Sequence, residues 1–241
     1  MRLKIKLRRT IVLTEIPAVT FAVAIVTVMR FPVRAVFVFL ACVVVCIRGL
    51  WSGAAAAAEI NASPVPGKPD SAIIEIKGEF ELSDVETFRA VSAPYPKAIV
   101  IFHSNGGKSM AGIEIGTRIR MRGYTTVVLD GATCASACAT AWIGGAPRMM
   151  GPGARIGFHA ASIEQGGQLK ESGLAGAILG AYLERLGLPV RAIAFINQAH
   201  PEEMSWLTMA DARREGIDVS LLTLPDRSSN DTAAKPENSS P

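Results

Sequence analysis

Cysteine is scarce, with four residues in a chain of 241, too few for a small scaffold that replaces a core with disulfides. No uncharged hydrophobic run long enough to cross a bilayer occurs after residue 58. No internal repeat is visible. The spacing of a phosphate-binding loop, G-x-x-x-x-G-K-[ST], is missing, and the cysteines do not follow a zinc signature. No metal or cofactor is expected. What is present is apolar: hydrophobic residues make up 49% of the chain, enough to fill a core and to exclude a wholly disordered protein. The length holds one domain with extensions, or at most two small domains.

The charge is unevenly distributed. The chain carries 25 basic and 21 acidic residues, a net charge of +4. Residues 1–58 hold eight Lys or Arg against Glu15, which is +7, and residues 59–241 hold seventeen against twenty, which is −3. The basicity belongs to the N-terminal segment. A mildly acidic body has no electrostatic reason to bind phosphate backbones, so no nucleic-acid partner is expected.

Residues 1–58 read as a targeting or membrane device. Five positive charges lie between Arg2 and Arg9, followed by a mediocre apolar run, Ile11 to Met29, interrupted by Glu15 and Pro17. A cleaner run, Ala35 to Ile47, follows Arg30 and Arg34, and five alanines stand at Ala54 to Ala58. Read from Met29, the pattern is that of a secretory signal peptide, with Met29 as the candidate true start. An uncleaved signal anchor and a two-helix hairpin are the alternatives. The first two put the body in the periplasm or on the non-cytoplasmic side of the inner membrane. The hairpin returns it to the cytoplasm. Cys42 and Cys46 read as apolar filler in the second run. Residues 59–70, rich in proline and polar side chains, read as a linker. Residues 224–241 read as a disordered tail, which leaves residues 71–223 as the folded domain.

That domain alternates strands and helices. Strands are predicted at Ala72 to Ile76, Ala98 to Phe102, Thr125 to Leu129, Arg155 to Phe158 and Asp218 to Leu222. The continuous apolar runs among them suggest strands buried on both faces. Helices are predicted at Leu82 to Val91 (Ser83 as N-cap, Glu86 three residues on), Met110 to Met121, Cys134 to Ile143, Leu174 to Leu186, Val190 to Ala199 and Met209 to Glu215. The alternation argues for an α/β fold with a mostly parallel sheet.

Three turns at strand ends carry candidate chemistry. Ser104-Asn-Gly-Gly-Lys opens a helix, where exposed N–H groups and the dipole favour an anion or oxyanion. Thr133-Cys-Ala-Ser136-Ala-Cys-Ala places a serine before a helix of small residues, a position suited to a nucleophile that is followed by a backbone amide. Ile156-Gly-Phe-His159 ends a strand on a histidine. Cys134 and Cys138 could form a disulfide if the domain is exported, but an i, i+4 pair inside a regular helix would strain the bond, so buried thiols are the preferred reading.

In this order the three turns resemble the ClpP/crotonase superfamily, and within it Clp protease proteolytic subunit-like bacterial proteins, exported or membrane-anchored, with a Cys-Ala-Ser-Ala-Cys motif. There a strand ends in S-P-G-G, a small-residue turn holds the serine, and a later strand ends in the histidine. The spacings here are 29 residues from Gly107 to Ser136 and 23 from Ser136 to His159. The resemblance implies a ClpP/crotonase-like spiral of strand–helix units and a serine peptidase. Ser136 would be the nucleophile and His159 the general base, with an oxyanion hole at the N–H groups of Gly107 and Ala137. It further implies a peptide or protein substrate, a homo-oligomer, and a substrate-lining handle at Gly166-Gly167. The family's third triad member, an aspartate, falls at Met204; Glu203 beside it is the candidate substitute. A Ser-Lys peptidase using Lys170 and a non-catalytic scaffold are the alternatives. A crotonase-type acyl-CoA enzyme would share the glycine-lined hole without needing a serine in the turn.

Overall fold

The structure, a computed structural model, describes residues 57–222. The expectations for the N-terminal segment, for Cys42 and Cys46 and for the C-terminal tail lie outside the described residues. Among the described residues no helix is long and apolar enough to cross a membrane.

The chain begins with an antiparallel hairpin, β1 (Glu59–Val65) and β2 (Lys68–Lys77). The expected linker is therefore half of a sheet edge. Pro64 is tolerated because β1 is the outermost strand, where a missing N–H costs no ladder bond on the open side. Helix α1 (Asp84–Ser92) follows. Its expected capping box is not formed: Ser83 makes no capping hydrogen bond. Asp84, almost wholly buried, accepts instead from the N–H of Glu81 at 2.7 Å and of Ala58 at 3.1 Å. One carboxylate thus ties the helix start to the strand that precedes the hairpin turn.

The main sheet continues through β3 (Lys97–His103), β4 (Thr125–Val128), β6 (Arg148–Met150) and β11 (Ser220–Leu221), all parallel, in the order β1-β2-β3-β4-β6-β11. Side chains alternate along β3. Ala98, Val100 and Phe102 are buried, whereas Ile99 is 42% exposed. Ile99 is register partner to Ile73 on β2, which is 37% exposed. The expectation of strands covered on both faces fails on this outer face, because the helices contribute their apolar stripes to the other one. The fold is mixed α/β with a largely parallel sheet.

On the inner side lie α2 (Ser109–Arg122), closed by Gly123 in the left-handed conformation, and the short α3 (Ala137–Trp142), all six residues of it buried. Small residues let these two helices meet backbone to backbone. A Cβ on Gly112 would come within 2.3 Å of the Ala137 carbonyl oxygen. A second sheet has β7 (Arg155–Phe158) at its centre, parallel to β5 (Thr133–Ala135) and antiparallel to β10 (Ser205–Trp206). An exposed hairpin, β8 (Ser162–Gln165) and β9 (Gln168–Glu171), turns at Gly166 and Gly167, both with positive φ. Helices α4 (Gly173–Arg185), α5 (Val190–Asn197) and α6 (Met209–Glu215) complete the described chain.

The core is continuous from Ile74, Ile76 and Phe88 to Trp142, Ile156 and Leu183. The one buried guanidinium among the described residues, Arg148, is held by carbonyls rather than by a carboxylate: Nε donates to Ile143 O at 2.6 Å and a terminal nitrogen to Asp218 O at 3.3 Å. Burial, and then Arg120 nearby, pull its pKa below the ordinary arginine range.

Candidate active site

Each of the three turns lies where a strand gives way to its crossover, and the fold brings them together. Ser104 ends β3 side by side with Cys134 on β5: Ser104 N–H donates to Thr133 O at 2.8 Å, and Ala135 N–H to Ser104 O at 3.0 Å. Its buried hydroxyl accepts from Gly106 N–H at 3.0 Å and so folds the turn back on itself. Gly106 and Gly107 have φ of 112° and 134°, backbone that side chains rarely adopt. Space is lacking as well. A Cβ on Gly106 would lie 2.7 Å from Ser136 Cβ, and one on Gly107 would lie 2.3 Å from Phe80 O.

Ser136 joins β5 to α3 with φ 54° and ψ −122°, the one positive φ at a non-glycine residue among those described. Its N–H donates to Gly157 O at 2.9 Å, and its carbonyl accepts from Thr140 N–H at 3.0 Å. The serine is therefore the N-cap of α3. The expected helix start at Cys134 is three residues early, and Cys134 belongs to β5. This overturns the reading of both cysteines as thiols. Because Cys134 lies in β5 and only Cys138 in the helix, with the turn at Ser136 between them, the two form a disulfide with Cα atoms 5.2 Å apart, within the ordinary range.

His159 follows β7. Its Nε2 lies 2.7 Å from Ser136 Oγ, and its Nδ1 lies 2.8 Å from the carbonyl of Ala160. A carbonyl can only accept, so Nδ1 carries the ring proton and Nε2 of the neutral ring accepts from the serine hydroxyl. That is the tautomer a general base needs. Ala160 is in turn anchored by its own N–H to Ala199 O at 2.8 Å.

The remaining candidates lie as follows. Ala137 N–H is in the first turn of α3, next to the serine. Among the described residues, no backbone or side-chain acceptor takes the Gly107 N–H. Glu203 sits in an exposed turn with its N–H on His200 O at 2.9 Å, and His159 Nδ1 is bonded to a backbone carbonyl rather than to it. Met204 and Trp206 cover Gly157, where a Cβ would come within 2.5 Å of Met204 Cγ. Lys170 is exposed on β9. His200 pairs with Glu171 at 2.7 Å, and that hydrogen bond and charge, with Glu203 adding to them, raise its pKa above 6.5. Gly106 is the site feature that residue-type reasoning missed, and the disulfide is one that it considered and set aside. Their role comes from contact with Ser136, which is set by the fold.

A cavity of about 310 Å³ opens on the Ser136–His159 pair, and its walls are mainly apolar, from Leu82, Met110, Ile163, Leu174 and Ile178. The serine hydroxyl thus faces a groove flanked by the hairpin and α4.

No protein-family model matches the chain, and no curated protein does. Solved structures do resemble it. The 1510-N membrane protease specific for a stomatin homolog, from Pyrococcus horikoshii, is 20% identical with a TM-score of 0.43, over 61% of this chain and 71% of that one. A lysine-to-alanine mutant of 1510-N in complex with a substrate peptide gives 21% identity and a TM-score of 0.46, over 61% and 73%. An asparagine-to-aspartate mutant of ClpP1 from Listeria monocytogenes gives 18% and 0.40, over 62% and 91%. The likeness is one of fold.

Proposed function

We propose that the chain is a ClpP-like serine peptidase with a Ser-His site. The observation that carries this reading is the 2.7 Å contact between Ser136 Oγ and His159 Nε2, at a strained turn on a helix N-terminus beside an apolar groove. Ser136 Oγ attacks the scissile carbonyl while His159 Nε2 takes its proton. The tetrahedral oxyanion is held by the N–H groups of Gly107 and Ala137, and His159 returns the proton to the leaving amine. The Ala160 carbonyl fixes the ring tautomer, so the site works as a dyad with a backbone acceptor in the place of an acid. A neutral acceptor stabilises the imidazolium less than a carboxylate does, so turnover is slower than in a full triad. The groove takes an extended peptide. The domain lies on the non-cytoplasmic side, reached through the N-terminal segment, and the Cys134–Cys138 bond supports an oxidising compartment.

A fluorophosphonate probe tests the chemistry. Labelling of the wild-type chain that is abolished by Ser136→Ala, with stability changed by no more than about 1 kcal/mol, is the expected result. A folded wild-type chain that never labels favours a non-catalytic scaffold. Labelling lost in Lys170→Ala and retained in His159→Ala favours the Ser-Lys alternative.

A further inference from the structure

The disulfide brackets the serine. Cys134 lies two residues before Ser136, in β5, and Cys138 two residues after it, in the first turn of α3. The ring they close contains a residue at φ 54° and ψ −122°. Backbone held in such a region costs free energy and persists only where its surroundings over-determine it. The hydrogen bonds around the turn fix each flank separately. Ala135 is tied to Ser104 and Ser136 to Gly157 on the strand side, whereas Thr140 is tied to Ser136 O along the helix. The covalent bond joins the two flanks. Both cysteines are fully buried, so a reductant in water has no approach to the sulfurs in the folded chain. This makes the link a permanent part of the folded site rather than a switch.

We propose that Cys134–Cys138 is a positioning staple for the nucleophile: it holds Ser136 in its strained backbone geometry and so keeps Oγ within bonding reach of His159 Nε2. The role assigned to Ser136 rests on the peptidase reading, whereas the geometry held by the bond does not. Closing the ring takes two electrons and two protons from two thiols. A disulfide oxidant accepts them; with oxidised glutathione, one molecule becomes two of reduced glutathione.

The test uses the full-length chain in three forms: oxidised wild type, wild type refolded with reductant, and Cys134→Ala/Cys138→Ala. Refolding keeps both sulfur atoms in the core, so it separates loss of the bond from loss of packing if the double variant folds poorly. Two quantities are read, the fluorophosphonate labelling rate and the amide hydrogen exchange of residues 133–142. Without the bond, labelling falls roughly 100-fold, the usual effect of an ångström-scale misplacement of a reacting group, and exchange rises at residues 135–138 while the sheet stays protected. Refolding the reduced wild type with oxidised glutathione restores both, and the same treatment restores neither in the double variant. Equal labelling and equal exchange in all three forms overturn the staple. If even the oxidised wild type never labels, the peptidase reading falls, and the exchange measurement alone decides the staple. Unchanged protection at 135–138 then overturns it.

Discussion

Gly106 sets how near the first turn can come to the nucleophile. A methyl group there would meet Ser136 Cβ at 2.7 Å and Ala135 O at 2.8 Å, at a φ of 112°. Neither neighbour is a flexible side-chain tip, so the backbone has to move. Gly106→Ala should cost about 3 kcal/mol in a urea melt and slow probe labelling by roughly 100-fold. Gly166→Ala is the control. It also sits at positive φ, but with open space around it on an exposed turn. It should cost about 1 kcal/mol and leave labelling near the wild-type rate. If the two variants behaved alike, conformational freedom alone would explain both, and contact with Ser136 would be irrelevant. At this scale the sequence was informative about residues that carry chemistry. Ser136 and His159 stand out because each ends a strand in a short polar or small-residue turn. Gly106 could not be separated from Gly107 or any other loop glycine, because what distinguishes it is a neighbour thirty residues away.

Among the elements, the start of α1 shows why local capping rules fell short. The Ser83 and Glu86 pattern is a sound capping signal, yet the buried Asp84 carboxylate takes the N–H groups of Glu81 and Ala58 instead, the second of them 26 residues away in sequence. Asp84→Ala should destabilise the fold by about 1–3 kcal/mol, the cost of leaving buried donors unpaired, and calorimetry measures it. The hairpin β8–β9 has a different anchor, the ion pair of Glu171 with His200 in the loop after α5. His200 titrates above its ordinary 6.5 because Glu171 bonds and attracts its charged form. A raised folded-state value means that the contribution is complete below about pH 6.5 and disappears as pH rises through the folded value. Hydrogen exchange in residues 162–171 should therefore be slower in wild type than in His200→Ala at about pH 5.5, and equal at about pH 8.5. A difference that persists at the higher pH would show that the imidazole acts by packing rather than charge. The hairpin itself was hidden in the sequence. Its strands are short and exposed, with no alternation of apolar and polar residues to betray them. β1 was hidden by Pro64 and Pro66, which read as linker punctuation, although the edge strand accommodates the first and the hairpin turn the second.

For the whole molecule, the strand–helix alternation and the parallel sheet were legible because β2, β3 and β4 carry dense β-branched runs. The meeting of α2 and α3, the second sheet and the ring around Ser136 were not, since each depends on which small residues face one another. The domain boundary moves as a result. A fragment of residues 57–222 should melt in one cooperative transition. A fragment of residues 71–222 lacks β1, with buried Ile60 and the Ala58 contact to Asp84, and should be less stable by about 3 kcal/mol. Equal melting would mean that β1 is an ornament on the sheet. The carbonyl partners of Arg148 have a further consequence, for the order of events as the chain emerges. Arg148 lies in the middle of the sheet's sequence, yet one of its partners, the Asp218 carbonyl, precedes the last strand, and β11 covers the open side of β6. A chain emerging N-terminus first thus presents Arg148 and five of the six main-sheet strands before residues 218–222, which complete them, are available. Until residues 218–222 have emerged, β6 is a bare edge beside a guanidinium that lacks one of its carbonyl partners, and the folding domain is most prone to pairing with the wrong strand in that interval.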